Sequence, residues 1–140
     1  VSVMTTEISQ RLKVDSPVDR VSKSGEELGV QLLRDNICKG NYSIFHAAQS
    51  QPQYDRMGTT VVSALFYDNR VSVAHVGDSR MYRLRGEKLE TITRDHSLLQ
   101  EQIDSGIISV EDARLSKNKN LVTRAVGIDV DVEPEIHLHD

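Results

Sequence analysis

Apolar residues recur every three or four positions over the first 48 residues, and this spacing predicts two amphipathic helices. The first covers residues 1–12 and is carried by Val1, Met4, Ile8 and Leu12. No capping side chain precedes this stripe, so we expect the chain to begin inside an element. Residues 13–23 are polar and turn-like, and they separate the two helices.

The second helix is predicted from a capping-box pattern, Ser24 with Glu27 three residues later. Its apolar stripe comprises Leu28, Leu32, Ile37, Ile44 and Ala48. Gly40 and Asn41 are poor helix formers and predict a weak point inside it. Residues 49–56 are polar, contain Pro52 and predict a loop.

From Gly58 onward the period becomes extended. Residues 59–67 and 71–76 are rich in β-branched and aromatic side chains and flank a turn at 68–70. Residues 81–85 and 89–93 predict two further strands, so we expect a four-stranded antiparallel meander. The first two strands are apolar on nearly both faces, which predicts helices over one face and another sheet over the other.

The last third of the chain is predicted to contain two short helices. Residues 97–104 form the first, and Ser109 with Asp112 opens the second, which ends near Leu115. Residues 116–120 form a solvated basic loop. Residues 121–125 and 132–139 are predicted to be extended around a turn at Gly127.

Composition excludes several function classes. The formal net charge is -4, aromatic residues make up 4% and tryptophan is absent, so neither nucleic acid nor a membrane is an expected partner. The single cysteine, Cys38, cannot form an internal disulfide and predicts ordinary helix packing. No export signal or membrane-spanning run is present, so we expect a cytoplasmic location.

The tetrapeptide Gly77-Asp78-Ser79-Arg80 places a carboxylate between two apolar runs. Aspartate is depleted in strands and a buried unpaired charge is costly. Asp78 is therefore expected either to pair with Arg80 in a turn or to bind a metal ion.

The surroundings of this tetrapeptide resemble the bacterial branch of the metal-dependent type 2C serine/threonine protein phosphatases, the PPM family. The segments that carry the resemblance follow one another in order: Met57-Gly58-Thr59-Thr60, Val73 to Tyr82, Leu89 to Thr93, Arg94-Asp95-His96-Ser97 and Asn120 to Gly127. The resemblance implies an α+β fold, a four-layer α-β-β-α sandwich of antiparallel sheets, with a helical flap at about residues 97–120. It also implies two or three Mg²⁺ or Mn²⁺ ions at one edge.

The chain departs from the family pattern at its ends. The family's early Asp-bearing strand, its Asp-Gly-x-Gly-Gly loop, its late Ser-Asp-Gly strand and its terminal Asp-Asn ligand are not found. Residues 1–140 are therefore interpreted as a single incomplete domain. By the resemblance Asp78 is the one metal ligand present, at a weakly held third ion, His96 and Ser97 lie at the base of the flap, and no catalytic residue lies within the chain.

Two functions from different classes follow. The first is a fragment of a Mg²⁺- or Mn²⁺-dependent phosphatase that hydrolyses phosphoserine and phosphothreonine, with phosphorylated proteins as substrates and a cognate Ser/Thr kinase as a possible partner. The second is a non-catalytic, phosphatase-like interaction or regulatory module. We expect the 140-residue chain alone to be inactive.

Other polar groups have simpler interpretations. Asp95, His96 and Ser97 are adjacent, and a catalytic triad needs spatial convergence instead, so capping and packing are expected there. His75 is expected to be a satisfied core or sheet-face histidine. His137 and His139 share one strand face, where a solvated strand is favoured over a zinc site. Basic residues of the flap loop, Lys117, Lys119 and nearby Arg114, are expected to be solvated, although they could attract a phosphopeptide.

An assembly is also expected. If outer pieces of a sandwich are absent, strand edges and apolar faces around residues 61–66 and 71–76 are exposed. We therefore expect a dimer or a domain-swapped arrangement.

Overall fold

The structure, a computed structural model, describes residues 8, 10, 27–67, 69–118 and 121–140. Most of the predicted first helix and the polar segment after it lie outside the described residues, although Ile8 and Gln10 are helical. The elements are α1 (Leu28–Ser50), a 3₁₀ turn (Pro52–Tyr54), β1 (Val61–Tyr67), β2 (Arg70–Val76), β3 (Tyr82–Arg85), β4 (Lys88–Thr91), α2 (Leu98–Asp104), α3 (Val110–Leu115) and β5 (Glu135–His139).

The helix α1 packs against one face of a sheet in which β2 lies between β1 and β5, all antiparallel. Leu33 and Ile37 of α1 meet Ala74 and Val76 of β2 in the core, and Val126 completes the cluster. Their spacing of three or four positions on the helix and two on the strand puts each set on one face. The α+β class with antiparallel sheets is confirmed.

The predicted four-stranded meander is wrong. Strands β3 and β4 form a separate two-stranded sheet, and β5 takes the place beside β2 that the meander gave to β3. The turn at residues 77–80 separates the two sheets, because Gly77 has a φ of +104° and cannot continue the strand.

The expected exposed edge at residues 71–76 is also wrong. Both edges of β2 are paired, and residues 72–76 are buried. Strand β1 is an edge strand of the described sheet, and Phe66 on it is 77% exposed. The expected dimer or swapped assembly stays a prediction, now centred on β1.

The helix α1 begins differently from the predicted capping box. Glu27 is its N-cap residue and makes no side-chain cap hydrogen bond, while Ser24 lies outside the described residues. The Glu27 carboxylate instead accepts hydrogen bonds from Tyr67 at 2.9 Å and Arg70 at 2.7 Å. Glu27 thus ties the start of α1 to the β1–β2 turn.

The weak point predicted at Gly40 and Asn41 does not interrupt α1, which continues through both residues. Asn41 is 1% exposed, and its side-chain amide forms hydrogen bonds with the turn that follows Val126. Its Oδ1 accepts from Gly127 N at 2.6 Å, and its Nδ2 donates to the carbonyl oxygens of Asp129 and Val130, both at 3.0 Å. Asn41 therefore anchors this turn to the helix.

We expect Asn41→Ala to lower the free energy of unfolding by about 3 kcal/mol, because it removes these hydrogen bonds and leaves the buried Gly127 N–H without its acceptor. Urea denaturation measures the change. His46→Ala, an exposed position on the same helix, is the control and should change stability by less than about 0.5 kcal/mol. Equal effects of the two substitutions would contradict the anchoring role.

Candidate metal-ligand turn

The turn at residues 77–80 joins β2 to β3 and is held by residues from two other segments, Thr60 before β1 and Asp95 with His96 after β4. Gly77 exchanges hydrogen bonds with His96: His96 N donates to Gly77 O at 3.0 Å, and Gly77 N donates to His96 Nδ1 at 3.1 Å. The Ser79 hydroxyl lies 2.7 Å from that of Thr60. The turn is therefore fixed at both its first and its third residue.

Arg80 supplies the last anchor. Its guanidinium donates two hydrogen bonds to Asp95, Nε to Oδ1 at 2.7 Å and Nη2 to Oδ2 at 2.6 Å. These bonds raise the pKa of Arg80 above its usual value. The Asp95 side chain is 12% exposed, so this bidentate pair is well shielded on the carboxylate side.

The expected pairing of Asp78 with Arg80 is therefore wrong, because Arg80 is held by Asp95. Asp78 is half-buried, and within residues 27–67, 69–118 and 121–140 no group forms a hydrogen bond or ion pair with its carboxylate. A carboxylate held in place by its neighbours and left without a protein partner has the chemistry of a ligand for a hard cation. Asp78 thus fits one position of a Mg²⁺ or Mn²⁺ site, and six oxygen ligands are needed in all.

His96 lies beneath the turn. Its side chain is buried and stacks on His75, with ring centroids 4.6 Å apart and planes 19° from parallel. Burial is the main cause that lowers the pKa of His96; the hydrogen bond to Glu135 opposes it, while Arg124 and His75 add to the lowering. His96 is therefore neutral near pH 7.

His75 is a satisfied core histidine, as predicted. It is 1% exposed, and its Nε2 lies 2.6 Å from the carbonyl oxygen of Arg94. Since a carbonyl oxygen only accepts, His75 Nε2 carries the proton.

The base of the flap begins at Ser97, which is the N-cap of α2 and accepts a hydrogen bond from Gln100 N at 3.3 Å. Ser109 caps α3 in the same way, by accepting from Asp112 N at 3.0 Å. Both predicted short helices are confirmed. The backbone also connects His96 and Leu98 to residues 121–123 through Thr123 N and Leu121 O, so the flap returns beside its own origin.

The structure excludes a triad at Asp95, His96 and Ser97. Asp95 is bound to Arg80, and the Ser97 hydroxyl caps α2. The His96 ring bonds to Gly77 and Glu135, so the three side chains serve separate contacts.

The remaining candidates have mixed outcomes. Cys38 lies exposed on α1 outside the buried core, and its Sγ donates to Val132 O at 3.6 Å. His137 and His139 do share a face of β5, with ring centroids 6.5 Å apart. His137 is largely exposed and lies 2.8 Å from Glu135, whereas His139 Nε2 is buried without a described partner. None of the helices in the described part of the chain combines the length and apolar content needed to cross a membrane.

Comparison with known proteins identifies the family of this chain. The model of the Protein phosphatase 2C family matches residues 3–134. The serine/threonine phosphatase stp of Listeria welshimeri is 42% identical over 101 residues, which are 72% of this chain and 40% of that protein. The chain therefore belongs to the protein phosphatase 2C family.

Solved structures give the same result. The serine/threonine phosphatase Stp1 from Staphylococcus aureus matches with a TM-score of 0.78 and 32% identity, covering 97% of this chain and 51% of that chain. The catalytic domain of PstP in complex with two manganese ions matches with a TM-score of 0.71 and 30% identity, covering 99% and 54%. This chain spans about half the length of the relatives it matches.

Sequence reasoning named Asp78, His96 and Ser97, and the structure brings His96 directly against the residue before Asp78. It missed Thr60, Asp95 and Glu135 as neighbours of the site. Arg80 beside an aspartate in the sequence suggested the wrong partner, and no local signal pointed to Glu135, which lies 39 residues after His96.

Proposed function

We propose that this chain is part of a single phosphatase domain that hydrolyses phosphoserine and phosphothreonine in proteins, with Mg²⁺ or Mn²⁺ as cofactor. Family membership supports the reaction class, and the two manganese ions of the PstP structure support the cofactor. The observation that carries the proposal for this chain is Asp78, a half-buried carboxylate held by an anchored turn and left unpaired by the described residues.

Each neighbour of Asp78 has a defined task in this proposal. Bound divalent ions would activate a water molecule and stabilise the charge that develops on the transferred phosphoryl group. Asp78 supplies one oxygen ligand. Arg80 is neutralised by Asp95, so it leaves the Asp78 carboxylate available for a cation. Ser97 begins the flap beside the turn. The proposed substrates are phosphorylated proteins.

The test uses the full-length protein, meaning this chain together with any further sequence that its gene encodes. Asp78→Asn keeps the shape of the side chain and removes its charge. We expect Mn²⁺-dependent phosphate release from a phosphothreonine peptide to fall at least about tenfold, because even outer-shell partners of metal sites cost 10–100-fold. The unfolding midpoint should stay the same, since no described residue forms a hydrogen bond or ion pair with the Asp78 carboxylate.

Asp55→Asn is the matched control, an exposed carboxylate in the loop before β1. It should leave both activity and metal requirement unchanged. Unchanged activity in Asp78→Asn would remove Asp78 from the site. If the unaltered full-length protein releases no phosphate with either metal, the proposed reaction is wrong, and the interaction module becomes the better interpretation.

A further inference from the structure

One residue, His96, holds both backbone polar groups of Gly77. His96 donates its backbone N–H to Gly77 O and accepts the Gly77 N–H at Nδ1, although the two residues are 19 positions apart. His96 is 7% exposed, so water does not substitute for these bonds. Gly77, which His96 holds through both groups, directly precedes Asp78.

The hydrogen bonds define the tautomer of His96. A backbone N–H can only donate, so Nδ1 must present a lone pair to Gly77. The ring proton is therefore on Nε2, which lies 3.3 Å from the Glu135 carboxylate and donates to it. Arg124 also lies 3.4 Å from Nε2, and its Nη1 donates to Glu133 O at 3.0 Å instead.

The same assignment argues against a metal ion inside this cluster. His75, His96 and Glu135 place three ligand-type atoms within 4.8 Å of one another. His96 Nε2 carries a proton and Nδ1 is taken by Gly77, so His96 has no lone pair to offer a metal. His75 Nε2 is likewise protonated, toward Arg94 O. The cluster is a hydrogen-bonded support for the turn.

We propose that His96 is a positioning residue for the metal ligand Asp78, and that Glu135 selects the His96 tautomer whose Nδ1 can accept the Gly77 N–H. The His75 ring, which is fixed by its hydrogen bond to Arg94 O, stacks on the His96 ring. This stacking keeps the His96 ring oriented so that Nδ1 faces the Gly77 N–H. This inference rests on the proposed function only for the role of Asp78 as a ligand. The contact between His96 and Gly77 is independent of it.

Two substitutions test the contacts of the two His96 ring nitrogens, Nδ1 and Nε2, separately. In His96→Asn the side-chain oxygen can replace Nδ1 as acceptor for Gly77, while the contact with Glu135 is lost. In His96→Gln the longer amide can reach toward Glu135, while the acceptor for Gly77 is lost. His46→Gln, on the exposed face of α1, is the control.

The readouts are made by NMR on the full-length protein. The nitrogen shifts of the ring should identify Nε2-protonated His96. Gly77 amide hydrogen exchange should stay slow in His96→Asn and accelerate at least tenfold in His96→Gln. The Mn²⁺ concentration that half-broadens the Asp78 amide signal should rise about tenfold in His96→Gln and remain near the unaltered value in His96→Asn.

Each of the other outcomes contradicts one part of the proposal. A proton on Nδ1, or equal Gly77 exchange in both variants, overturns the positioning role. A shift of the His96 Nε2 signal on adding Zn²⁺ overturns it in favour of a metal site in the cluster. If Mn²⁺ does not broaden the Asp78 signal in the unaltered protein, the proposed function fails at Asp78. The Gly77 amide exchange then still decides whether His96 holds Gly77.

Discussion

The 140-residue chain, supplied with Mn²⁺ on its own, is expected to release no phosphate from a phosphothreonine peptide above the rate of the buffer. A divalent ion of this kind needs about six oxygen ligands, and Asp78 supplies one. The carboxylates nearest the turn are already engaged, Asp95 by Arg80 and Glu135 by His137 and His96. Among the described residues, the cluster of three ligand-type side chains is His75, His96 and Glu135, which does not include Asp78, so we expect no two-metal centre there.

The measurement compares phosphate release by the chain and by the full-length protein at equal Mn²⁺ concentration. Circular dichroism of the chain, with a cooperative thermal transition, is the control that the compared material is folded. Metal-dependent release by the chain that is lost in Asp78→Asn would contradict the prediction, because it would mean that enough ligands lie within these 140 residues.

Local features of the fold were predictable from the sequence because their partners lie within one helical turn. Ser97 and Ser109 cap helices through backbone N–H groups three residues later, so a short pattern contains all the information. The strand pair β1 and β2 was predictable for the same reason, since a tight turn brings neighbouring residues into register.

Features that depend on distant partners were not predictable. Asn41 is a poor helix former by local preference, yet its amide binds groups 86 to 89 residues away, and that tertiary gain outweighs the local cost. The meander failed because the apolar period continues on both sides of Gly77, while the backbone there turns into a second sheet.

The candidate site was partly predictable. The residue types of the Gly77–Arg80 tetrapeptide marked Asp78 as a turn carboxylate or metal ligand, because a carboxylate between apolar runs needs an explanation. The sequence did not reveal which carboxylate forms the ion pair with Arg80. Asp95 rather than Asp78 binds Arg80 because the segment 94–96, which follows β4, lies beside the turn, where the His96–Gly77 hydrogen bonds hold it.

The second large effect is expected for Gly77→Ala. The φ of +104° is one that residues with a Cβ rarely adopt, and an added Cβ would overlap Thr60 Cγ2 and lie 2.7 Å from Thr60 Cβ. Backbone strain and overpacking each cost about 1–3 kcal/mol. We expect the free energy of unfolding of the full-length protein to fall by about 3–5 kcal/mol in urea denaturation.

Gly86→Ala separates the two costs in that experiment. Gly86 also has a positive φ, of +61°, but a Cβ there meets nothing within 4 Å, so the substitution should cost only about 1 kcal/mol of backbone strain.

Thr60 packs directly against Gly77 while its hydroxyl holds Ser79, so relief of the overlap must move one side of the Asp78 turn. Gly77→Ala should therefore raise the Mn²⁺ requirement as well as lower stability, whereas Gly86→Ala should leave the metal requirement unchanged. Equal loss of stability in the two variants would contradict the close packing of Gly77 on Thr60. A normal Mn²⁺ requirement in Gly77→Ala would show that this packing does not determine the position of Asp78.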